Sequence, residues 1–340
     1  MDRTLNGGLM QPDVTILVVP REQFSKTAQS LESIYAHTST PFSLVYIDGN
    51  SPAKVRRYLE RQSKARGFTL VRQDRYLSAN EARNIGLPYC SGQYIAFIDN
   101  DVEVTPGWLE SLMECARETN AAVVGPLYYL GDPRDHVIHT AGADLSIVTS
   151  GERRSLLEHH TFVNQDANAV RDQLKRRPID LVEFHCLLAR RDVVEEVGLD
   201  KNLLSFLDHN DFCMAVKSAG YAIYTEPKAI VSHLSPPPIK LGDLPYFIVR
   251  WSDTWMNPSV RHFAAKHRLM LDDDGLRGHY RYRDAHRLRL VSHLRGAVKR
   301  TLGSRVCALL DRVANRYICD RILERFVARR TERASLTPAP

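Results

Sequence analysis

The residues with the clearest capacity for chemistry are Asp99 and Asp101, two carboxylates one residue apart that close the apolar run Tyr94-Ile95-Ala96-Phe97-Ile98. An uninterrupted apolar run of this kind predicts a central strand buried on both faces. The strand cannot stay buried past Asp99. Like charges this close repel, and withdrawing them from water is costly unless a cation stands between them. The chain is therefore expected to surface here, at the carboxyl end of a strand, the edge where open α/β sheets bind ligands. Hard carboxylate oxygens suit Mn2+ or Mg2+, and those ions suit a diphosphate. Asp-Asn-Asp also makes turns, so the spacing by itself leaves a cation site and a plain turn both open.

The elements around this pair follow from apolar periodicity. Val14–Val19 reads as a first strand closed by Pro20, and 42–47 as a second, ending at Asp48-Gly49-Asn50-Ser51. Short strands are expected at 68–71 and 121–124, with helices at 25–35, 54–65, 79–87 and 106–117. Strands that alternate with helices imply βαβ units, right-handed crossovers and a mostly parallel sheet. The fold class is therefore α/β. Asp48 and Asp99 then end strands on one sheet edge, where Asp48 can read the base of a nucleotide and Asp99 its ribose. An Asx turn and a strand cap are the competing readings. Arg83, inside the 79–87 helix, either faces phosphate or stands on a solvated surface.

Further along, 126–180 reads as loops and irregular strands containing His136, His139 and Asp144, the region expected to shape an acceptor pocket. A strand at 182–189 and a helix ending at Gly198 follow. Asp208 is placed on the loop before a helix at 213–219, whose start is marked by Asp211. Two short strands at 222–224 and 229–231 precede His233, and Pro236-Pro237-Pro238 closes the compact part. No G-x-G-x-x-G follows the first strand and no G-x-x-x-x-G-K-[ST] occurs, which argues against dinucleotide-binding dehydrogenases and P-loop enzymes. His185, Cys186, His209, Cys213 and His233 match no common zinc spacing and are discounted as a zinc site.

In this order the features resemble the inverting, nucleotide-sugar-dependent glycosyltransferases of family 2, with a GT-A fold, over about residues 13–235. The resemblance rests on Val19-Pro20, on Asp48-Gly49-Asn50-Ser51, and on Ala82-Arg83-Asn84-Ile85-Gly86-Leu87 against the family's A-R-N-x-G helix. It continues through Tyr94 to Asp101 against its D-x-D strand and Asp208-His209-Asn210-Asp211-Phe212 against its acidic base motif, to Val231-Ser232-His233 with its late histidine. It implies a donor site in which Pro20, Asp48, Arg83 and Asp99 meet a nucleotide diphosphate sugar. Asp101 and His233 would hold Mn2+ or Mg2+, and Asp208 would be the general base. Two departures stand out. Pro20-Arg21-Glu22-Gln23 replaces the usual Pro-Thr-Tyr-Asn, and Asp208-His209 replaces the usual Glu-Asp. UDP-sugar is the first donor expected and GDP-sugar the second, with a glycan or lipid-linked acceptor.

The organisation expected is a loose segment 1–12, a transferase domain 13–255 and a basic, mainly helical extension 256–340. The domain would divide into a nucleotide-sugar-binding half 13–125 and an acceptor-binding half 126–255. Charge supports the extension as a separate character. Residues 261–340 hold 19 Lys+Arg against 8 Asp+Glu, whereas the chain as a whole carries a net +6. Apolar positions from Leu288 to Tyr317 recur every three or four residues, with a break near Gly303, opposite a face bearing Arg287, Arg295, Lys299 and Arg305. Docking of 285–333 on an anionic membrane surface is one reading, and packing on the domain is the other. No apolar leader or spanning segment stands out, and the six cysteines are scattered, so a cytoplasmic protein, peripheral on the inner face of the membrane, is expected. Two other classes remain. One is a catalytically inactive GT-A binding module, which the intact Asp99, Asp101 and Asp208 oppose. The other is a membrane- or nucleic-acid-binding protein driven by its tail, where the lack of interleaved aromatics disfavours nucleic acid.

Overall fold

The computed structural model describes residues 12–313 apart from 152, 235–238 and 273. Strands β1 (Val14–Val19), β2 (Ser43–Gly49), β3 (Thr69–Gln73) and β4 (Tyr94–Asp99) alternate with helices α1 (Thr27–His37), α2 (Ala53–Arg66) and α3 (Ala79–Gly86). After β5 (Val102–Val104) come α4 (Trp108–Thr119), β6 (Val123–Leu130), β7 (Ile138–Thr140) and the antiparallel pair β8 (Ala143–Ser150) and β9 (Arg153–His160). Then follow β10 (Arg177–Ile179), β11 (Cys186–Arg190), α5 (Arg191–Val197), α6 (Asp208–Ser218) and β12 (Ile223–His233). Helices α7 (Leu244–Arg250), α8 (Asp253–His267), α9 (Asp274–Arg287) and α10 (Ser292–Val313) complete the described chain.

The main sheet runs β10-β12-β6-β11-β4-β1-β2-β3, with β5 on β12 and β7 on β6. β1 is parallel to β2 and β4, β2 to β3, and β6 to β12. β11 runs antiparallel between β4 and β6 and joins the two parallel groups. The strands alternate their apolar payload between two faces. Ile16, Val18, Ala96 and Ile98 pack with Leu31, Ile34, Trp108 and Leu112 of α1 and α4. Leu17, Val19, Ile95 and Phe97 pack with Ala79, Ala82, Val193 and Phe212 of α3, α5 and α6. Burial on both faces is why these strands read as continuous apolar runs.

Several expectations are corrected. The 126–180 region is more regular than its pattern predicts, since it contains β6, β7 and the β8–β9 pair. β8 is exposed along most of its length, so no inward face leaves an apolar alternation to read. The two short strands before His233 are one strand, β12, with a register shift between Glu226 and Ile230. Pro227 lies in that interval and has no N–H to give to a ladder. The compact part does not end at the prolines. Phe247, Trp251, Met256, Val260 and Phe263 form a buried cluster with Leu156, Phe206 and Leu207. Position 255 falls inside α8, so the packed structure continues across the expected start of the extension. α10 does break at Gly303, whose φ of 83° is left-handed.

Candidate active site

The carboxyl ends of β1, β2 and β4 form one edge. Val19 pairs with Asp99 and Val18 with Tyr46, which brings Pro20 and Asp48 level with the end of β4. Asp48 is buried. One oxygen accepts from the Ser51 N–H at 3.0 Å, and the other accepts from the Ser51 hydroxyl at 3.0 Å and from the Arg72 guanidinium. The Asx turn weighed for it is therefore present, supplemented by an ion pair.

After Pro20 the chain folds over the end of β4. Asn100 fastens it. Its Oδ1 accepts from the Arg21 N–H at 2.9 Å, and its Nδ2 donates to the Gln23 carbonyl at 3.3 Å. This brings the Glu22 and Gln23 N–H groups to Asp101 Oδ2, at 3.1 and 3.3 Å. The other oxygen, Asp101 Oδ1, is buried with no hydrogen-bond partner, and so is His233 Nε2. These two unpartnered atoms face each other at 3.9 Å. Glu22, Asp101 and His233 each offer a ligand atom here, and these atoms lie within 4.8 Å of one another. Burial, then the charges of Asp99 and Glu22, push the Asp101 carboxyl well above its usual value. Burial, reinforced by His185 and His139, holds His233 well below its own, as a neutral ring able to ligate. Two carboxylates and a neutral imidazole gathered this closely fit a divalent ion, and unpaired buried atoms are otherwise costly.

Arg83 is fully buried, which removes the solvated-surface reading. Its Nη2 donates to Asp99 Oδ1 at 2.9 Å and its Nη1 to Asp208 Oδ2 at 2.7 Å, while the guanidinium lies 4.1 Å from the centre of the Phe184 ring. Asp99 Oδ2 meets His185 Nδ1 at 2.9 Å and Arg21 Nε at 3.7 Å. Burial opposes ionisation of Asp99, but the His185 hydrogen bond and the charges of Arg21 and Arg83 hold its carboxyl below the usual range. Asp208 is also corrected in place. It is the first residue of α6 rather than part of the preceding loop, because Leu207, at φ 66°, makes the turn into the helix. Burial again opposes ionisation there, and the nearby His209 and Arg83 outweigh it and hold Asp208 far below its usual value. Asp211 points elsewhere, to Lys266 and His267 at 2.8 Å each.

The structure thus brings Asp99, Asp101, Arg83, Asp208 and His233 together and sets Asp48 along the same edge. Sequence reasoning missed Glu22, whose only signal was its place in a departure from the expected Pro-Thr-Tyr-Asn. The discounted set does not form one site: Cys186 and Cys213 lie in apolar clusters on opposite faces of the sheet, although the rings of His185 and His233 stack.

Comparison with known proteins bears on this arrangement. The family profile described as "Glycosyl transferase family 2" matches residues 16–198, more than half of the chain. The chain belongs to this family. Among curated relatives, the pre-mycofactocin glycosyltransferase of Mycobacterium tuberculosis is 26% identical over 45% of this chain and 29% of that protein. The succinoglycan biosynthesis protein ExoM of Rhizobium meliloti is 27% identical over 38% of this chain and 40% of that protein. The chain thus matches less than half the length of these relatives. A crystal structure of GalNAc-T7 with UDP, GalNAc and Mn2+ superposes with a TM-score of 0.50 at 17% identity, over 80% of this chain and 54% of that one. That likeness speaks for the fold, which is GT-A.

Proposed function

We propose that this chain transfers a sugar from a nucleoside diphosphate sugar to an acceptor hydroxyl with inversion, in glycan or polysaccharide synthesis. The observation that carries the reading is the pair of buried, unpartnered atoms, Asp101 Oδ1 and His233 Nε2, 3.9 Å apart at the carboxyl edge of the sheet. Asp101, His233 and Glu22 would hold Mn2+ or Mg2+. When bound, such an ion neutralises a departing diphosphate. The GalNAc-T7 structure contains UDP and Mn2+, in keeping with UDP as the first donor to test and GDP as the second.

The chain's own residues divide the remaining work. Asp48 is assigned to the base and Asp99 to the ribose, with Pro20 turning the 20–23 segment over them. Arg83 positions Asp99 and Asp208 through its two hydrogen bonds. As the acceptor oxygen bonds to the anomeric carbon and the diphosphate leaves with the bonding electrons, Asp208 takes the hydroxyl proton. Inversion needs no covalent enzyme intermediate. The assigned carboxylates are buried, so donor entry calls for opening at Arg21, which lies over Asp99. The 13–125 and 126–255 halves would serve donor and acceptor. The acceptor would be a glycan or a lipid-linked sugar, met in the cytoplasm at the inner face of the membrane.

A panel of nucleoside diphosphate sugars with Mn2+, read by thermal shift, tests this. One member should raise the melting temperature by mass action, and EDTA should abolish the rise. A uniform absence of stabilisation across the panel would contradict the reading.

A further inference from the structure

A second cluster lies beside the one assigned to the donor's cation. We propose that His139, Glu183 and His185 form a separate site for a borderline transition-metal ion, with Zn2+ as its best-fitting occupant. The three ligand atoms lie within 4.8 Å of one another. His139 Nε2 is 3.1 Å and His185 Nε2 3.2 Å from the same oxygen, Glu183 Oε2. Zinc bonds of about 2.0–2.1 Å in a tetrahedron set ligand atoms about 3.3 Å apart, so both separations match a tetrahedral edge.

A second observation comes from the far side of the His185 ring. Its Nδ1 meets Asp99 Oδ2 at 2.9 Å. An ionised carboxylate only accepts, so Nδ1 carries the hydrogen. In the neutral ring Nε2 then presents a lone pair, and it presents it to a carboxylate oxygen. Two acceptors at that separation repel unless a positive charge stands between them. A carboxylate behind the ring and a metal in front of it is also the arrangement that fixes the tautomer of ligating histidines. The Tyr128 hydroxyl lies 2.7 Å from the Cys186 carbonyl and 2.9 Å from the Glu183 carbonyl, which ties down the segment that carries Glu183 and His185.

Ligand chemistry separates the two sites. Two imidazoles and one carboxylate favour Zn2+ or Co2+ over Mg2+, whereas Glu22, Asp101 and His233 offer two carboxylates and one imidazole. The sites are neighbours, because the His185 and His233 rings stack with centroids 4.0 Å apart. His139 takes no part in the proposed transfer. Sequence spacing did not reveal the set, since its members come from β7 and from the segment leading into β11.

The test uses the full chain, stripped with chelator and dialysed against Zn2+ in excess Mg2+, with bound zinc counted by atomic emission. One zinc per chain is expected. His139→Ala and Glu183→Gln should each weaken it by at least about 10- to 100-fold, and Asp101→Asn should leave it in place. Co2+ in place of zinc should give visible ligand-field bands in the wild type that His139→Ala alters. Wild-type protein that retains no zinc would overturn the proposal and leave the cluster as a histidine–carboxylate proton pair. Zinc lost in Asp101→Asn and kept in His139→Ala would overturn it too, by assigning the ion to the other set. UDP binding with Mn2+, measured on the same His139→Ala protein, reports separately on the donor site.

Discussion

At the scale of single residues, Asp208 carries the sharpest claim. It is held ionised by His209 and Arg83, so in the proposed role it would be a weak base, acting only as the acceptor proton becomes acidic in the transition state. Asp208→Asn keeps an oxygen that can accept from Arg83 but loses the site for the proton. Folding and donor binding should persist while kcat falls by about 10²- to 10⁴-fold. Steady-state kinetics with a melting curve checks this. Near-normal kcat with a lowered melting temperature would reduce Asp208 to a helix-start residue favoured by the macrodipole. The placement of Asp48 and Asp99 at the carboxyl ends of strands was legible in the sequence, because each follows an apolar run, and Asp101 comes two residues later. Glu22 was not. Nothing local marks it, and its position depends on Asn100, 78 residues away in sequence, fastening the 20–23 segment across the sheet edge.

At the scale of elements, α3 positions Arg83 by lying close against the sheet. A Cβ on Gly86 would stand 2.4 Å from Leu17 Cδ1 and 3.0 Å from its Cδ2, and Leu17 is fully buried. Gly86→Ala should therefore lift the end of α3, one turn from Arg83. A stability loss of about 1–3 kcal/mol is expected from overpacking, together with a fall in kcat as Arg83 moves from Asp99 and Asp208. Chemical denaturation and kinetics on the same variant check both effects, and unchanged kcat would separate α3 packing from the site. The elements that were legible are those with one dominant period: β1, β4, α2 and α4. The β8–β9 pair was not, because exposed strands lack an apolar alternation. The start of α6 was placed late, at Asp211, since a buried leucine in a left-handed turn leaves no sequence signature.

At the scale of the whole molecule, charge governs two outcomes. Asp99, Asp208, Glu158 and Asp200 all have folded-state carboxyls held below their usual values. Each contributes stability that is fully present above its unfolded value of ~3.9–4.3 and is lost as pH falls through the lower folded value. Circular dichroism should therefore show stability holding from neutral pH to about 5 and collapsing below about 4. A collapse already near neutrality would mean that these ion pairs do not form. The second outcome concerns the C-terminal helices. α10 exposes Leu302, Val306, Leu309 and Leu310, and it lies in the stretch of net positive charge. Among the described residues, no helix is long and apolar enough to cross a membrane. The expected docking stretch 285–333 extends beyond the described residues, which end at 313. Full-length protein should float with anionic liposomes at low salt and fail to do so when cut near Asp273. Absence of flotation by the full chain would favour packing of this segment on protein.

Isothermal titration of UDP and of GDP into the full chain tests the central claim most directly, with Mn2+, with EDTA, and with Asp101→Asn protein in Mn2+. One nucleotide should bind in Mn2+, lose at least about 10-fold in affinity in EDTA, and lose a similar factor in the Asp101→Asn protein. Removing one like charge from the buried Glu22, Asp99 and Asp101 set should at the same time raise the metal-free melting stability of that variant by about 0.5–2 kcal/mol. Equal affinity in all three titrations would contradict a cation site at Asp101 and His233.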